Sequence, residues 1–155
     1  LCHRQPVRAV TVDNSGKYMA TAGVDRSLKI WDVRTFKCLQ NYQISSGASH
    51  LKFSGRGVLG VALGNAVELY KDCCIKPVDH PYMRHKVFKT VSDIRFAPFE
   101  DVLGIGHGGG FSSILTPGME DFYSIKFFLL LQLLCEGSFF YSYKLCEVKL
   151  PLIEF

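Results

Sequence analysis

The sequence has little charge and no apolar run long enough to cross a membrane. Of its 155 residues only 21% are charged, while 48% are hydrophobic. This composition excludes intrinsic disorder, because the chain can bury enough apolar surface to offset the entropy lost on folding. The apolar stretch Phe127–Cys135 has nine residues and is followed by Glu136, whereas a transmembrane helix needs about 20. We therefore predict a folded protein and expect this stretch either to form a short hydrophobic helix packed on exposed strand edges or to aggregate.

The sequence also lacks an export signal and a disulfide framework. No basic segment precedes an apolar run after Leu1, so we expect no signal peptide and treat the chain as a fragment. Six cysteines stand in unrelated contexts without regular spacing. Such spacing indicates reduced thiols and favours an intracellular protein. The six are Cys2, Cys38, Cys73, Cys74, Cys135 and Cys146.

The composition changes near Pro117-Gly118. Residues 1–118 hold 15 Lys and Arg against 9 Asp and Glu, a net charge of +6, together with all five His and the single Trp. Residues 119–155 hold three Lys against five acidic residues, a net charge of −2, and half of the 12 Phe. We therefore expect two parts of different origin, a main part of 118 residues and a divergent hydrophobic tail.

A repeat of about 40 residues runs through the main part. Corresponding positions are 41 residues apart from Val10 to Leu51, 43 from Leu51 to Ile94, and 40 from Asp32 to Asp72. Each unit holds three short alternating segments separated by Gly, Asn, Asp or Pro turns, and a looser fourth segment follows at 37–42 and near 81–85. The alternating segments are 7–12, 18–22 and 28–32, then 50–53, 58–63 and 67–70, then 91–96, 102–106 and 111–115.

Alternating apolar residues predict strands with one face in a core. We expect Val10 and Val12 of the first unit, and Ile94 and Phe96 of the third, to lie on that face. Four short strands in about 40 to 45 residues is the period of a β-propeller blade.

The predicted fold is therefore all-β, a partial, open β-propeller of about three blades followed by a short helical tail. We place the blades at about 1–44, 45–86 and 87–118, and the tail at 119–155. A closed propeller typically has four to eight blades, so we expect that three blades leave the ring open.

The first unit, which ends in Asp25-Arg-Ser-Leu-Lys-Ile-Trp-Asp32, resembles a WD repeat of the transducin-like propeller family. In that family a His, a Ser or Thr, an Asp and a Trp form a hydrogen-bonded tetrad. The matching positions here are His3, Thr21, Asp25 and Trp31. A buried Asp needs a partner, His can bridge a carboxylate and a hydroxyl, and Trp has one donor to satisfy. The resemblance implies that these four residues are structural and hold a blade together.

A narrower resemblance covers nearly all of residues 1–118. The run Val91–His107, with its continuation to Gly118, is similar to the last blade and the start of the C-terminal region in a nucleolar WD-repeat family of the small-subunit processome. Val67–Asp72 and Pro81–Met83 fit the preceding blade of that family. The similarity ends at Met119.

This second resemblance implies a non-enzymatic scaffold in the nucleus and nucleolus. The implied function is ribosomal RNA processing and biogenesis of the small ribosomal subunit. The implied partners are processome proteins and pre-ribosomal RNA or the U3 small nucleolar RNA. DNA, a cofactor, a metal and a small-molecule substrate are not implied. An adaptor in another intracellular complex is the alternative, because the first repeat alone fits that function equally well.

A glycine-rich segment raises the alternative of a nucleotide site. Gly104-Ile-Gly-His-Gly-Gly109 has the spacing of a dinucleotide-binding loop, with Glu120 or Asp121 at a tolerable distance for a ribose contact. That chemistry needs a helix whose amides meet the pyrophosphate. Because Phe111–Leu115 has a strand pattern, we predict a glycine turn between blade strands instead.

The overlapping segment His107–Gly110 resembles the oxyanion loop of esterases. Such an enzyme needs a nucleophile elbow of the form G-x-S-x-G. The nearest candidate, Gly47-Ala-Ser-His-Leu51, lacks the last glycine. We therefore do not predict a hydrolase.

Cys73, Cys74, His80 and His85 raise the alternative of a zinc site. Two adjacent thiolates cannot easily reach the same tetrahedral ion, since paired zinc ligands are usually separated by two to four residues. We expect these four to be ordinary loop and edge residues.

Basic residues are spread over the turns and strand exteriors of the first unit. We expect a solvated rim, whose positive charge favours polyanions such as ribosomal RNA. An aromatic RNA-stacking motif is not present. The basic residues are Arg4, Arg8, Lys17, Arg26, Lys29, Arg34 and Lys37.

Overall fold

The computed structural model describes residues 2–98 and 102–116, which form eleven strands in three antiparallel sheets. The first sheet contains β1 to β4, at Val7–Val12, Tyr18–Gly23, Ser27–Asp32 and Lys37–Gln43. The second sheet contains β5 to β8, at His50–Phe53, Val58–Leu63, Ala66–Lys71 and Met83–Lys86. The third sheet contains β9 to β11, at Val91–Phe96, Val102–His107 and Gly110–Leu115.

The strands of each sheet follow one another as a meander, so every strand pairs with its neighbour along the chain. Tight turns allow each strand to fold back beside the preceding one. Between β6 and β7 the turn has two residues, Gly64 and Asn65, and Gly64 has φ of +65°, a conformation that glycine adopts without steric cost. The predicted all-β fold of propeller-like units is confirmed, and the predicted strands agree with the observed ones to within two residues at each end.

The sheets stack in chain order through their first strands, with β1 beside β5 and β5 beside β9. One apolar cluster fills the space between the first and second sheets and includes Leu28, Ile30 and Leu59. A second cluster fills the space between the second and third sheets and includes Leu69 and Ile94. All five side chains are fully buried, and each contributes about 1.5–3 kcal/mol of burial free energy.

The second sheet is therefore covered on both faces. Strands β6 and β7 are buried from Val58 to Tyr70 except at the turn between them, and the burial includes the carboxylate of Glu68. A strand with neighbours on both faces loses the alternation between buried and exposed residues. This explains why β6 is apolar at almost every position.

One prediction about the core is wrong. Val10 and Val12 are 54% and 50% exposed, whereas Ile94 is fully buried and Phe96 is half-buried. The face of the first sheet that carries Val10 and Val12 points away from the second sheet. No sheet of the described residues covers it, and alternation alone could not reveal that.

The predicted tail at 119–155 and its stretch Phe127–Cys135 lie outside the described residues. Within 2–98 and 102–116 no helix reaches the length and apolarity that a membrane crossing requires.

Candidate functional site

His3 lies at the centre of a group of hydrogen-bonded side chains on the first sheet. Its Nε2 atom is 2.8 Å from the Thr21 hydroxyl, and its Nδ1 atom is 2.8 Å from the Ser27 hydroxyl and 3.3 Å from Asp25 Oδ1. The Trp31 indole donates to Thr21 Oγ1 at 2.9 Å. The structure brings the four predicted residues together and adds Ser27. We call these five residues the polar network.

Three elements supply the polar network. His3 precedes β1, Thr21 lies in β2, and Asp25 lies in the turn to β3, the strand that contains Ser27 and Trp31. Thr21 is paired with Lys29, and Trp31 with Met19, so alternate residues of β2 and β3 share one face. That face also carries Val10, which pairs with Thr21. The polar network therefore lies on the uncovered face of the first sheet.

Donor and acceptor counting assigns the proton of the His3 ring. The Asp25 carboxylate can only accept, so the Ser27 hydroxyl proton goes to Asp25 and Ser27 Oγ accepts from His3 Nδ1. With one proton on the ring, His3 Nε2 accepts from the Thr21 hydroxyl, whose oxygen accepts from the Trp31 indole. His3 Nδ1 then carries the ring proton and donates to the Ser27 hydroxyl, which donates in turn to Asp25 Oδ1 at 2.7 Å. Every donor has an acceptor, as buried polar groups require.

Asp25 ends this chain of donors as a carboxylate. The Ser27 hydroxyl is the main cause of its low pKa, which falls to about 2, and the Ser27 amide, the His3 ring and the Arg4 amide add to the effect. Each of these donors favours the ionised form. The Arg4 amide also ties the segment before β1 to the turn between β2 and β3.

Two residues of this site were missed by the sequence reasoning. Ser27 contacts both His3 and Asp25, and the spacing Asp-x-Ser is a signal for a side chain that bonds two residues along the chain. Gly23 is needed for space, because a Cβ there would clash with the Asp25 carboxylate and lie 2.8 Å from His3 Nδ1. A glycine inside a strand signals this kind of close approach.

The second and third sheets carry apolar residues where the first sheet carries Thr21. The cross-strand register identifies the equivalent residues as Val61 in β6 and Ile105 in β10, and both are fully buried. Tyr70 and Ile114 stand where the first sheet has Trp31. Of the three sheets described, the first alone holds the polar network.

The second sheet has a polar group of its own at Glu68. This carboxylate is 4% exposed, accepts a hydrogen bond from the Tyr70 hydroxyl at 2.9 Å, and lies 3.4 Å from Arg84 Nε. Burial, followed by the hydrogen bond to Glu68, raises the pKa of Tyr70 well above its ordinary value. A buried charge is costly without a partner, and Glu68 has two.

The glycine-rich segment forms a strand, a turn and a strand. The predicted strand is confirmed as β11, and no helix follows Gly110 within the described residues. His107 Nε2 lies 2.8 Å from the Ser112 hydroxyl, and the Gly109 amide donates to His107 Nδ1 at 3.1 Å. These contacts close a hairpin and use the ring nitrogens of His107 locally. Glu120 and Asp121 lie outside the described residues.

The cysteine and histidine side chains considered for a zinc site lie in different environments. Cys73 is fully buried in the apolar cluster, and its carbonyl accepts a hydrogen bond from the Tyr42 hydroxyl at 3.1 Å. The neighbouring Cys74 thiol and burial raise the pKa of Cys73. His80 is exposed. Among residues 2–98 and 102–116, no group of three or more His, Cys, Asp or Glu is arranged to hold a metal ion.

The basic residues of the first unit are on the surface. Six of the seven are exposed, and Lys29 is half-buried, with its ammonium group donating to the Cys2 carbonyl at 2.6 Å. The exposed ones are Arg4, Arg8, Lys17, Arg26, Arg34 and Lys37.

Two family models match the chain. The model of the "WD domain, G-beta repeat" matches residues 1–32, which contain the polar network. The model of the "BING4CT (NUC141) domain" matches residues 81–122, which include the third sheet. The second match extends four residues beyond Gly118.

Curated relatives match most of the chain. "WD repeat-containing protein 46" is 47% identical over 125 residues in Mus musculus and 43% over 121 residues in Caenorhabditis elegans. "U3 small nucleolar RNA-associated protein 7" of Saccharomyces cerevisiae is 37% identical over 135 residues. These alignments cover 76 to 78% of this chain and 20 to 24% of the relatives. The chain thus spans about a fifth to a quarter of their length.

Solved structures show the same fold. A structure described as "Structure of U3-55K" has a TM-score of 0.60 at 15% identity, covering 67% of this chain and 34% of that one. "Crystal structure of RRP9 WD40 repeats" has a TM-score of 0.59 at 15% identity, covering 67% and 33%. With the repeat match, the relatives and three stacked antiparallel sheets, this chain belongs to the WD-repeat family.

Proposed function

We propose that the chain is a non-enzymatic scaffold of the small-subunit processome that acts in ribosomal RNA processing and small-subunit biogenesis in the nucleolus. The observation that carries the proposal is its identity of 37 to 47% with relatives, one of which is named for its association with the U3 small nucleolar RNA. This level of identity extends over 121 to 135 residues, which is more than one repeat.

The arrangement of the sheets supports a scaffold. Three sheets with complete strand ladders and two apolar clusters between them form a rigid support for turns and strand edges. Such turns are the usual place for partner contacts, because a rigid framework positions them while their sequences vary. In the proposed function the partners are other processome proteins and pre-ribosomal RNA or the U3 small nucleolar RNA.

The polar network has a structural task in this proposal. His3, Thr21, Asp25 and Trp31, with Ser27, fasten the segment before β1 to the turn between β2 and β3. Both ring nitrogens of His3 are hydrogen-bonded within the network and its side chain is buried away from solvent, so we assign His3 a structural role. Loss of the network would loosen the first sheet without removing a chemical step.

Charge supports an RNA partner. Residues 1–118 carry a net charge of +6, and six of the basic residues in the first unit are exposed. Arginine and lysine side chains on a surface attract phosphates and release counterions, which makes binding weaken as salt increases. We assign these basic side chains to the RNA backbone and the remaining turns to protein partners.

The alternative function is that of an adaptor in another intracellular complex, which the repeat match at 1–32 equally allows. The division of the chain into blades at 1–118 and a divergent tail at 119–155 is part of the proposal and applies to both functions.

Co-purification and sedimentation from cells test the proposal. The tagged chain is expected to sediment with precursor ribosomes and to enrich U3 small nucleolar RNA over a spliceosomal small nuclear RNA. A variant in which Arg4, Arg8, Lys17 and Arg34 are changed to Gln is expected to lose most of the RNA. A matched variant with Gln5, Asn14, Gln40 and Asn41 changed to Ser is expected to retain it.

Two outcomes would each contradict one part of the proposal, the processome assignment or the RNA contact. Recovery of the chain in light cytosolic fractions alone, without U3 small nucleolar RNA, would favour the adaptor. Full RNA recovery by the Gln variant would show that the basic surface is not the RNA contact. The processome assignment would be unaffected.

A further inference from the structure

An exposed aromatic residue stands in the turn between β3 and β4. The turn has four residues, Val33 to Phe36, and Phe36 is 79% exposed. Its backbone φ is +53°, in the left-handed region, where the Cβ atom of a bulky residue crowds the backbone. Glycine would adopt this conformation without strain. Among the described residues, Arg26 and Asp72 are also non-glycine residues with positive φ, and Phe36 alone of the three is aromatic.

The turn is held in place by groups other than the ring of Phe36. Asp32 Oδ1 accepts a hydrogen bond from the Arg34 amide at 2.9 Å, and the Val33 amide donates to the Lys17 carbonyl at 2.9 Å. Phe36 belongs to neither of the two apolar clusters between the sheets. A large apolar side chain is thus exposed to water on a strained backbone, and strain of this kind concentrates at functional sites.

Three basic residues lie close to Phe36. Arg34 and Lys37 are near it in the chain, on either side. The hydrogen bond between the Val33 amide and the Lys17 carbonyl places Lys17 at the same end of the sheet. All three basic residues are exposed. They belong to the set that the proposed function assigns to the RNA backbone, so Phe36 lies within that surface.

Two carboxylates lie at the same end of the first sheet, and both are hydrogen-bonded within their own turns. Asp13 accepts from the amide and the hydroxyl of Ser15. Asp32 accepts from the Arg34 amide. In these two turns three cations stand against two carboxylates, and the acceptor oxygens of both carboxylates are used locally. The basic side chains carry no such bond within their turns, so the local charge favours an anionic partner.

We propose that Phe36 stacks on an unpaired base of the bound RNA, while Lys17, Arg34 and Lys37 contact the flanking phosphates. The inference rests on the proposed RNA partner and adds a base contact to a surface that otherwise contacts phosphates alone. An aromatic ring among cations suits a single strand, because every base has a π-face and the strand carries one phosphate per nucleotide. The contact therefore selects unpaired RNA and tolerates any sequence. A single ring in a turn forms no sequence motif, which is why the sequence did not reveal it.

Fluorescence anisotropy of a labelled single-stranded oligouridine of about 12 nucleotides, titrated with the full chain, tests the proposal. Phe36→Gly removes the ring and is expected to weaken binding by about 5- to 150-fold. Phe36→Leu keeps an apolar side chain without a π-face and is expected to lose about as much, whereas Phe36→Trp is expected to retain binding. Val24→Ala changes an exposed apolar residue in the turn at the other end of the sheet and is expected to bind like the wild type.

Salt dependence separates the ring from the cations. Phe36 releases no counterions, so Phe36→Gly is expected to leave the slope of log K against log salt concentration unchanged. Arg34→Gln is expected to reduce that slope by about 0.7. An RNA duplex of the same length is expected to bind the wild type and Phe36→Gly equally, because its bases are already stacked on one another.

Thermal melting of the free chain tests the premise of a strained turn. Phe36→Gly is expected to melt at or above the wild-type temperature, since glycine adopts a φ of +53° without strain. A lower melting temperature would show that the ring serves the fold and would overturn the proposal. Wild-type affinity of Phe36→Gly or Phe36→Leu for oligouridine would overturn it as well, while leaving the RNA contact of the proposed function in place. A wild-type chain that binds neither RNA would overturn both.

Discussion

Where the first sheet carries Thr21, the second carries Val61, and the two sheets are stabilised differently at that point. Thr21 accepts from the Trp31 indole and contacts the His3 ring. Val61 lies fully buried among apolar side chains that come from two sheets. The first sheet packs against another sheet on one face only, and the polar network connects its strands on the other face. In the second sheet apolar contacts with neighbouring sheets stabilise both faces.

The turns between the second and third strands of the two sheets also differ. Between β2 and β3 three residues, Val24 to Arg26, bring the Asp25 carboxylate over the strand, and Arg26 has φ of +60°. Between β6 and β7 the two-residue turn Gly64-Asn65 supplies no carboxylate. The polar network therefore depends on the longer turn of the first sheet and on His3 before β1, whereas the second sheet has a shorter turn and Ser49 in the segment before β5.

The largest expected effect tests the difference in coverage. Leu59 and Met19 occupy equivalent positions, opposite Tyr70 and Trp31, but Leu59 is fully buried and Met19 lies on the uncovered face. Leu59→Ala is expected to lower the free energy of unfolding by about 2–5 kcal/mol. Met19→Ala is expected to lower it by about 1 kcal/mol, since less surface returns to water.

Urea unfolding of both variants measures these losses. A cost for Met19→Ala as large as that of Leu59→Ala would show that the two sheets are equally covered.

Exchanging the threonine of the first sheet and the valine of the second tests whether the two sheets need a polar and an apolar residue at this position. Thr21→Val leaves the Trp31 indole without its acceptor and His3 Nε2 without its donor, at a cost of about 1–3 kcal/mol. Val61→Thr buries a hydroxyl among apolar neighbours and is expected to cost about as much, ~1–3 kcal/mol. Both losses are measured by urea unfolding. If either exchange left the free energy of unfolding unchanged, the two sheets would tolerate the same residue at that position.

Most of the fold could be predicted from the sequence because the repeat is local. Period-two alternation and Gly, Asn, Asp and Pro turns placed β1 and β9 at their observed bounds. The exposure of Val10 was not predictable, because it depends on whether another sheet lies beside the first. Glu68 was missed for the same reason, since its burial depends on the first sheet, which covers the face of the second sheet that carries Val61 and Glu68.

The polar network was partly predictable. The WD-repeat resemblance identified His3, Thr21, Asp25 and Trp31, which differ widely in sequence position and share no periodic pattern. Ser27 and Gly23 were missed, because a serine and a glycine in strands have many ordinary explanations. Only the three-dimensional positions show that Ser27 contacts two members and that Gly23 leaves room for them.

Acid is expected to weaken the first sheet through Asp25. Its folded pKa is about 2, below the value of about 4 in an unfolded chain. Its contribution to stability is therefore fully present above pH about 4 and is lost as the pH falls towards about 2. In Asp25→Asn this part of the pH dependence is expected to disappear, and the melting temperature near pH 7 is expected to fall.

Thermal melting between pH 2 and 7 measures the effect. Some acid sensitivity is expected to remain in Asp25→Asn, because the Arg34 amide lowers the pKa of Asp32 and Arg95 lowers that of Asp93. Identical pH profiles for the wild type and the variant, or full thermal stability of Asp25→Ala, would contradict the role of Asp25 in the polar network.

The smallest expected effect separates Ser27 from the rest of the polar network. Ser27→Ala removes the main cause of the low pKa of Asp25 and one partner of His3, while the direct contact between His3 and Asp25 remains. The stability loss is expected to be about 1 kcal/mol. In NMR titrations the pKa of Asp25 is expected to rise towards its ordinary value. Ser112→Ala removes a similar hydroxyl from His107 in the third sheet and is expected to leave Asp25 unchanged. An unshifted pKa of Asp25 in Ser27→Ala would mean that the His3 ring and the amides of residues 27 and 4 hold the carboxylate without the hydroxyl. The polar network would then be reduced to the four residues that the family resemblance implies.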